Sequence, residues 1–339
     1  MSSFRHKLGA IVYDWPRFLV AIRRDGGWPK FRNRYERITI DPRSGGVRCE
    51  WRFTSDLHLP KVFPRAGNQL MHAALGQWPI ELRETPRTSG EPLATFVIGH
   101  RGESRLPLLL TTLRSIAAQD IAVECIVVEQ SAQQVAAGHL PKWVRYLYTP
   151  ISSDELPYNR SSTLNAGAKA ARTQLLILHD NDFLVPVSYA SELVTRHKEG
   201  WEFIDLKRFM FYLTQEASAR AIQSMRIELP LDVEYITQNL CAGGSVAADR
   251  DAYFAIGGFD ESFVGWGGED NDFWERASTR RVFSFAYLPL LHLWHSPQRE
   301  KLDAEAAAGR VRFRELEKTS PLERIKALKQ GTTEQKDSP

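Results

Sequence analysis

Residues 175–182 read LLILHDND, an apolar run followed directly by a polar segment with two acids. Its four successive apolar residues are typical of a strand that is buried on both faces of a sheet. The acids Asp180 and Asp182 follow where that strand ends. In α/β sheets, ligands bind beyond the carboxyl ends of the strands. The stretch therefore predicts a buried strand that delivers two carboxylates to a ligand site.

Outward from this strand, the chain alternates between short apolar runs and helical patterns. ATFVI at 94–98 and CIVV at 125–128 predict two further buried strands. Apolar residues at helical spacing predict helices over 106–119 and 161–171. This alternation predicts the α/β class, with a Rossmann-like, mostly parallel sheet flanked by helices.

The composition is that of an ordinary globular protein. The chain has 339 residues, of which 43% are hydrophobic and 25% charged. A net charge of +3 is small for this length and does not indicate nucleic-acid binding, which needs a clustered basic face. Three cysteines, Cys49, Cys125 and Cys241, lie too far apart for a disulfide framework or a zinc ribbon. They favour a reducing compartment.

The targeting signals are weak. The start, MSSFRHKLGAIVYDW, is not typical of a signal peptide, and no apolar run reaches the length of a transmembrane helix. We therefore expect a cytoplasmic protein that touches the inner face of a membrane, or a partner, only peripherally. Residues 1–90 are the candidate region for that contact.

The composition along the chain indicates three parts. Residues 1–90 are rich in Trp, Arg and Pro, and alternation at 37–40 and 47–53 predicts strands of an accessory region. The Pro, Thr, Ser and Gly content of 84–91 predicts a linker. The predicted division is an accessory region at 1–90, a catalytic domain at 91–300 with halves at 91–185 and 186–300, and a helical tail at 301–339 whose last ten residues or so are disordered.

A metal site is the first chemical prediction. A hard divalent cation prefers the oxygen ligands that Asp180 and Asp182 offer. His292 and His295, three apart in HLWH, can reach one metal ion together. The mixture of imidazole and carboxylate favours manganese, with magnesium as the alternative. The competing interpretation is a solvated turn at the acids, with one core and one surface histidine.

The segment WGGEDND at 266–272 predicts a second chemical function. Glycines on both sides of Trp266 would free its indole to cover the apolar face of a sugar. Glu269 and Asp270 are candidates to orient and deprotonate a hydroxyl nucleophile. The competing interpretation is an acidic turn before a helix at 273–278, and Asp272 alone could serve as that cap.

The segment YNRSSTLNAG at 158–167 places Arg160 near a predicted helix start. Its guanidinium and the free backbone N–H groups could meet a phosphate or a ribose there. A simple helix cap with a solvated arginine is the alternative.

Together these segments resemble a known family. The order YNRSSTLNAGAKAA, LHDND, AGGSVAADRDAYFAIGGFDESFVGWGGEDND and HLWH, over roughly residues 92–300, resembles the β-1,4-galactosyltransferases. It is similar also to the bacterial chondroitin-polymerase-like enzymes. The run from GGFD to WGGEDND is specific, whereas the DxD of LHDND alone is not. The resemblance implies a GT-A type fold, with a nucleotide-binding half and an acceptor-binding half.

The resemblance also implies roles for individual residues. Asp182, His292 and His295 would bind Mn²⁺, although the family often has methionine at the position of His292. Donor-binding residues would be His100, Arg101, Glu129, Gln130, Tyr158, Arg160 and Asp180. Acceptor-binding residues would be Trp266, Gly267, Gly268 and Glu269. Asp270 would be the general base, with Glu269 holding the acceptor.

The implied activity is inverting transfer of Gal or GalNAc from a UDP-sugar to a hydroxyl of a glycan or glycolipid. Leu240, Cys241 and Ala242 are smaller than the aromatic residues often found there in the family, which favours room for an N-acetyl group. Retaining polypeptide N-acetylgalactosaminyltransferases share a WGGE segment but typically lack the acid that follows it. A retaining GalNAc-transferase-like enzyme, a metal-dependent phosphoesterase and a catalytically inactive glycan-binding relative stay open as alternatives.

Overall fold

The computed structural model describes residues 4–24, 26–51, 54–238, 243–296 and 307–334. The strands are β1 Ile38–Ile40, β2 Val47–Cys49, β3 Ser55–Asp56, β4 Ala94–His100, β5 Val123–Ser131, β6 Arg145–Pro150, β7 Leu175–His179, β8 Phe183–Leu184, β9 Phe203–Ile204, β10 Lys207–Leu213, β11 Val233–Gln238, β12 Ser245–Asp249, β13 Val282–Phe283 and β14 Leu288–His292. The helices are α1 Phe4–Gly9, α2 Trp15–Arg23, α3 His58–Val62, α4 Pro64–Gln77, α5 Leu106–Ala117, α6 Arg160–Ala170, α7 Tyr189–Lys198, α8 Gln215–Ser224, α9 Arg250–Ala255, α10 Glu269–Ala277, α11 Ala308–Leu316 and α12 Pro321–Glu334. A π-helical turn, Ala10–Asp14, joins α1 to α2, and 3₁₀ turns lie at Trp28–Lys30 and Glu103–Arg105.

A seven-stranded sheet forms the centre, in the order β13-β9-β12-β7-β4-β5-β6. Strands β7, β4, β5 and β6 are parallel, whereas β12 runs antiparallel to both β7 and β9. The predicted α/β class, with a mostly parallel sheet flanked by helices, is therefore confirmed. The antiparallel β12 brings the start of its own strand beside the carboxyl end of β7, because Ser245 pairs with His179.

Apolar helix faces cover this sheet on both sides. Leu109 and Leu113 of α5 are buried in one hydrophobic cluster with alternate residues of β4 and β5. Leu164 of α6 is buried in the cluster on the other face. Gly167 lets α6 approach closely, since a Cβ there would lie 2.2 Å from Cγ1 of Val97. Burial on both faces explains why these strands are continuous apolar runs.

A second sheet has the order β3-β11-β10-β14-β8. Strand β8 follows the DND segment directly and pairs antiparallel with β14, so that Phe183 lies opposite His292. The N–H of Leu293 donates to the carbonyl of Asp182 at 2.9 Å. This register places the predicted acidic and histidine ligands side by side.

The accessory region packs against this second sheet. Strands β1 and β2 form a two-stranded sheet within the stretches predicted as strands, while residues 52 and 53 lie outside the described residues. Strand β3 pairs with β11. Phe18, Trp28 and Leu70 share a buried cluster with Phe209 and Ile236 of the second sheet. The domain boundary at residue 90 stays a prediction.

The linker and the tail largely follow their predictions. Residues 84–91 contain no helix or strand, and the N–H of Arg87 donates to the carbonyl of Ala117. The tail forms α11 and α12, although residues 297–306 lie outside the described residues. Helix α12 continues through 330–334, so half of the ten residues predicted as disordered are helical, and 335–339 are not described. Among the described helices, none is long and apolar enough to cross a membrane.

Candidate active site

A cleft of about 1520 Å³ opens at the carboxyl ends of β4 and β7, between the two sheets. Pockets for one small ligand usually measure about 300–1,000 Å³. The cleft is therefore large enough for two substrates at once. The predicted site residues that line it are Arg101, Tyr158, Arg160, Asp180, Asp182, Trp266, Gly267, Gly268, Glu269, Asp270, His292 and His295.

Three predicted metal ligands meet at one end of the cleft. Oδ1 of Asp182 lies 3.9 Å from Nε2 of His292, and Oδ2 lies 3.3 Å from Nε2 of His295. One ligand atom from each of the three residues lies within 4.8 Å of the others. A carboxylate with two imidazoles is a donor set that suits divalent transition metals. The structure thus contains a cluster that could hold a metal ion.

Packing and charge hold this cluster in place. The His292 ring stacks on Tyr212 at 4.3 Å and meets Phe183 edge-on at 4.8 Å. Burial by itself would raise the pKa of Asp182, but His292, His295 and Arg105 outweigh it and lower that pKa far below its ordinary value. The carboxylate is therefore ionised, as a metal ligand must be.

Arg105 is a site residue that the sequence analysis missed. It ends the 3₁₀ turn Glu103–Arg105 after β4, and its Nη1 donates to Oδ2 of Asp182 at 2.7 Å. The guanidinium lines the cleft beside the metal cluster. A basic residue in the turn after a central strand is the only signal that could have indicated it, because its partner lies 77 positions away.

Arg160 lies between two acids that come from different parts of the chain. Its Nε donates to Oδ1 of Asp180 at 2.8 Å, and its Nη1 donates to Oδ1 of Asp270 at 2.8 Å. Burial would lower the pKa of Arg160, but the two carboxylates raise it, so the guanidinium stays charged. Helix α6 begins at Arg160 as predicted, with Asn159 as its cap through a bond from the N–H of Ser162.

Two glycines make room for this arrangement. A Cβ at Gly243 would lie 2.6 Å from Oδ2 of Asp270. Gly244 has a φ of 86°, which side chains rarely adopt, and its N–H donates to Oδ2 of Asp180 at 3.2 Å. Gly243 and Gly244 therefore leave room for the carboxylates of Asp270 and Asp180, both of which contact Arg160.

Helix α10 begins earlier than predicted, so Asp272 lies inside the helix and not at its start. The helix spans Glu269–Ala277 rather than 273–278, and Gly268 precedes it without a side-chain cap. Asp272 is buried within the helix and pairs with Arg276 and Arg324, both at 2.7 Å. The expectation that Asp272 caps the helix was wrong, because two internal arginines neutralise its carboxylate.

Glu269 and Asp270 occupy the first turn of α10 at the cleft. Glu269 is only 8% exposed, and its Oε2 has no hydrogen-bond partner among the residues that the structure describes. Burial, together with the neighbouring Asp270, raises the pKa of Glu269 to about 7. Burial also raises the pKa of Asp270, against the opposing charge of Arg160. Such perturbed carboxyls in a cleft are typical of proton-transfer sites.

Trp266 forms part of the cleft wall, as its flanking glycines predict. Gly265 and Gly267 have φ values of 80° and 96°, a conformation that favours glycine. The guanidinium of Arg310 in α11 lies 5.4 Å from the ring centroid of Trp266. The tail therefore contributes a cation to a site that the sequence analysis confined to residues 91–300.

The predicted donor side is partly assembled around Arg101. Its Nε donates to the carbonyl of Gln130 at 2.8 Å, and its guanidinium lies 5.3 Å from the ring centroid of Tyr158. The amide of Gln130 accepts from Arg101 and from the N–H of Asn159. Arg101 and Tyr158 reach the cleft, whereas Gln130 does not line it and contacts Arg101 and the backbone of Asn159.

Two further donor residues of the prediction do not reach the cleft. The Glu129 carboxylate is fully buried and accepts bonds from the hydroxyls of Ser131 and Tyr146 and from two backbone N–H groups. His100 is also fully buried, with Nδ1 3.1 Å from the amide of Asn181, and burial lowers its pKa to about 4. Both side chains are hydrogen-bonded to other residues of the protein. The geometry therefore does not support the prediction that they contact the sugar donor.

The accessory region supplies cleft residues that the sequence did not indicate. Val47 and Ala286 exchange two backbone hydrogen bonds of 2.9 Å, which fix β2 against the second half of the chain. Arg48 and Trp51 then line the cleft. The sequence around Arg48 and Trp51 does not indicate that they lie near residues more than 200 positions further along the chain.

Comparison with known proteins points to galactosyltransferases. A family model described as the N-terminal domain of galactosyltransferase matches residues 227–289. Beta-1,4-galactosyltransferase 1 of Bos taurus is 26% identical over 155 residues, which is 42% of this chain and about a third of the relative (34%). The predicted resemblance is thus confirmed, and the matched segment contains the WGGEDND sequence.

Among solved structures, the crystal structure of S. aureus TarS 1–349 in complex with UDP is similar to 56% of this chain. The match covers 57% of TarS at 13% identity, with a TM-score of 0.40. With so low a TM-score, the likeness carries no further inference.

Proposed function

We propose that this protein is an inverting, metal-dependent glycosyltransferase that moves Gal or GalNAc from a UDP-sugar to a hydroxyl group of a glycan. The observation that carries the proposal is the pair of contacts that Arg160 makes with two acids. One guanidinium contacts Asp180 and Asp270, in the same cleft as the cluster of Asp182, His292 and His295. The arrangement supports the proposal because it puts the proposed donor-binding, metal-binding and base residues in one cleft.

Asp182, His292 and His295 would hold the cation, with Mn²⁺ favoured by the two imidazoles. When bound, the cation would neutralise charge on the diphosphate leaving group. Arg160 and Arg105 add two cationic groups that line the same cleft. Fixed positive charge at this place stabilises the negative charge that develops as the sugar–phosphate bond breaks.

Asp270 is the proposed general base. Its Oδ1 is held by Arg160, which leaves Oδ2 to accept the proton of the acceptor hydroxyl. The hydroxyl oxygen then bonds to C1 of the sugar as the bond from C1 to UDP breaks, in one displacement. This order of events inverts the configuration at C1.

Glu269 is proposed to hold the acceptor. Its buried Oε2 lacks a partner within the described chain, and a pKa of about 7 lets it donate or accept a hydrogen bond near neutral pH. Trp266 would cover the apolar face of a sugar beside it. Both side chains line the cleft next to Asp270.

The choice of donor rests on the small residues Leu240, Cys241 and Ala242, which lie outside the described residues. They favour a donor with an N-acetyl group. UDP-GalNAc is therefore proposed as a donor alongside UDP-Gal.

A screen for UDP release tests the proposal. UDP-Gal, UDP-GalNAc, UDP-Glc and UDP-GlcNAc would each be offered with glycan acceptors, in Mn²⁺, in Mg²⁺ and in EDTA. We expect acceptor-dependent release from UDP-Gal or UDP-GalNAc that EDTA abolishes, and NMR of the product should show an inverted anomeric centre. Activity that EDTA leaves unchanged would exclude the metal site, and a retained anomer would exclude Asp270 as the base of a single displacement.

A further inference from the structure

The first helical segment of the chain, residues 4–23, has two different faces. It consists of α1, the π-helical turn and α2. Ala10, Phe18 and Ala21 are buried and pack into the cluster that the accessory region shares with the second sheet. This inner face attaches the segment to the rest of the protein.

The outer face is apolar although it is exposed. Leu8, Ile11 and Val12 are 50%, 51% and 51% exposed, and Trp15 is 36% exposed. They alternate along the segment with the buried Ala10, Asp14 and Phe18, so they lie on its solvent-facing side. We call these four residues the N-terminal apolar stripe. A contiguous apolar surface of this kind normally marks an interaction site.

Residues 1–40, which contain the stripe, are rich in basic residues. Residues 1–40 contain nine Lys and Arg and only three Asp and Glu, a net charge of +6 in a chain whose total is +3. Two of the three acids, Asp14 and Glu36, are buried. The exposed basic residues of this region are Lys7, Arg23, Arg24, Lys30 and Arg37. The solvent-facing charge around the stripe is therefore strongly positive.

We propose that the N-terminal apolar stripe and these basic residues dock the protein on an anionic lipid surface. An amphipathic helix with this composition lies in the plane of a membrane, with its apolar residues in the acyl boundary and its basic residues at the phosphates. A second copy of this surface would bring two net charges of +6 together, which opposes self-association.

The docking surface is joined firmly to the cleft. Helix α2 leads into the turn Trp28–Lys30, and the guanidinium of Arg208 donates to the carbonyls of Pro29 and Phe31 at 2.5 and 2.6 Å. Arg208 itself lines the cleft. Docking would thus fix the orientation of the cleft relative to the lipid surface, whatever reaction takes place there.

Co-sedimentation of the full chain with vesicles tests this inference. We expect binding to vesicles of phosphatidylcholine with phosphatidylglycerol, at least about tenfold weaker binding to pure phosphatidylcholine, and weakening by salt. The double variant Ile11→Glu/Val12→Glu should lower the partition coefficient about tenfold or more. Arg23→Glu/Arg24→Glu should remove most of the preference for anionic vesicles.

A matched control carries the same charges elsewhere. Met225 and Leu322 are 46% and 67% exposed, so Met225→Glu/Leu322→Glu adds two carboxylates away from the stripe and should leave vesicle binding unchanged. Circular dichroism should show equal folding of all variants, since the substituted side chains are exposed.

Three outcomes would overturn the inference. They are no binding to anionic vesicles, equal binding by wild type and Ile11→Glu/Val12→Glu, and a wild-type dimer in sedimentation equilibrium that this variant dissociates. The last outcome would show that the N-terminal apolar stripe is the interface between two copies of the chain. None of these readouts depends on transferase activity, so failure here leaves the proposed function intact.

Discussion

Nη1 of Arg160 lies 2.8 Å from Oδ1 of Asp270, although the two residues are 110 positions apart. Nε of the same guanidinium lies 2.8 Å from Oδ1 of Asp180. One planar cation therefore connects the acid at the end of the central strand with the acid at the start of α10. Loss of the Arg160 guanidinium should therefore affect both halves of the cleft.

Asp270→Asn should abolish transfer while UDP still binds. The amide keeps the volume and can still contact Arg160, but it cannot take a proton, so we expect kcat to fall about 10³-fold. Steady-state kinetics and calorimetry of UDP binding with Mn²⁺ measure the two effects. Glu216→Gln, an exposed acid on α8, is the matched control. Transfer at near the wild-type rate would show that another group is the base.

Asp182→Ala should weaken metal-dependent UDP binding about tenfold or more, because it removes the carboxylate shared by the two histidines. Calorimetric titration of UDP with and without Mn²⁺ is the measurement. Glu216→Gln again serves as the control and should bind like wild type. An unchanged effect of Mn²⁺ in Asp182→Ala would rule out this cluster as the metal site.

Arg105→Ala should change metal and nucleotide binding in opposite directions. Arg105 donates to Asp182 at 2.7 Å and so competes with a cation for that carboxylate. Its removal should strengthen Mn²⁺ binding to the protein alone, but weaken UDP binding in saturating Mn²⁺ because a cation is lost from the cleft. Calorimetric titrations of Mn²⁺ into the protein alone, and of UDP into the protein in saturating Mn²⁺, measure the two affinities separately. Loss of both affinities together would indicate that Arg105 only maintains the fold of the site.

The raised pKa of Glu269 predicts a pH-dependent stability. Its pKa is about 7 in the folded protein, against an ordinary value of 4.5, so the unfolded chain binds fewer protons between these values. The free energy of unfolding should therefore fall as the pH rises from about 4.5 to 7, by no more than about 1.4 kcal/mol per pH unit.

Urea unfolding of wild type and Glu269→Gln at pH 5 and pH 8 measures this contribution. The variant should gain stability relative to wild type at pH 8 more than at pH 5, because its neutral amide carries no charge to desolvate. The same stability difference at both pH values would contradict a raised pKa.

Gly309→Ala should loosen α11 from the cleft. A Cβ at this position would lie 1.9 Å from the carbonyl oxygen of Gly267, which leaves no room for a methyl group. We expect a destabilisation of about 1–3 kcal/mol and a higher KM for the acceptor. Gly138→Ala, where nothing lies within 4 Å, is the control and should behave like wild type. If Gly309→Ala leaves the acceptor KM unchanged, α11 does not take part in acceptor binding.

Three strands of the central sheet, β4, β5 and β7, and the helices α5 and α6 could be predicted from the sequence. The runs at 94–98, 125–128 and 175–178 form the cores of β4, β5 and β7, because a strand buried on both faces needs an unbroken apolar run. The start of α10 was predicted less accurately, at residue 273 instead of Glu269. Its first turn is acidic, which fits both a loop before a helix and a helix N-terminus, where acids favour the dipole.

From the sequence one could tell which side chains are chemically able to act, and that Asp182, His292 and His295 are each able to bind a metal ion. Their residue types and their positions at strand ends are local properties. Only the tertiary structure decided that Arg160 joins Asp180 to Asp270 and that Glu129 is used internally. It also brought β2 and α11 into the cleft wall. These relationships depend on sheet order and register across tens to hundreds of residues, and local periodicity does not encode them.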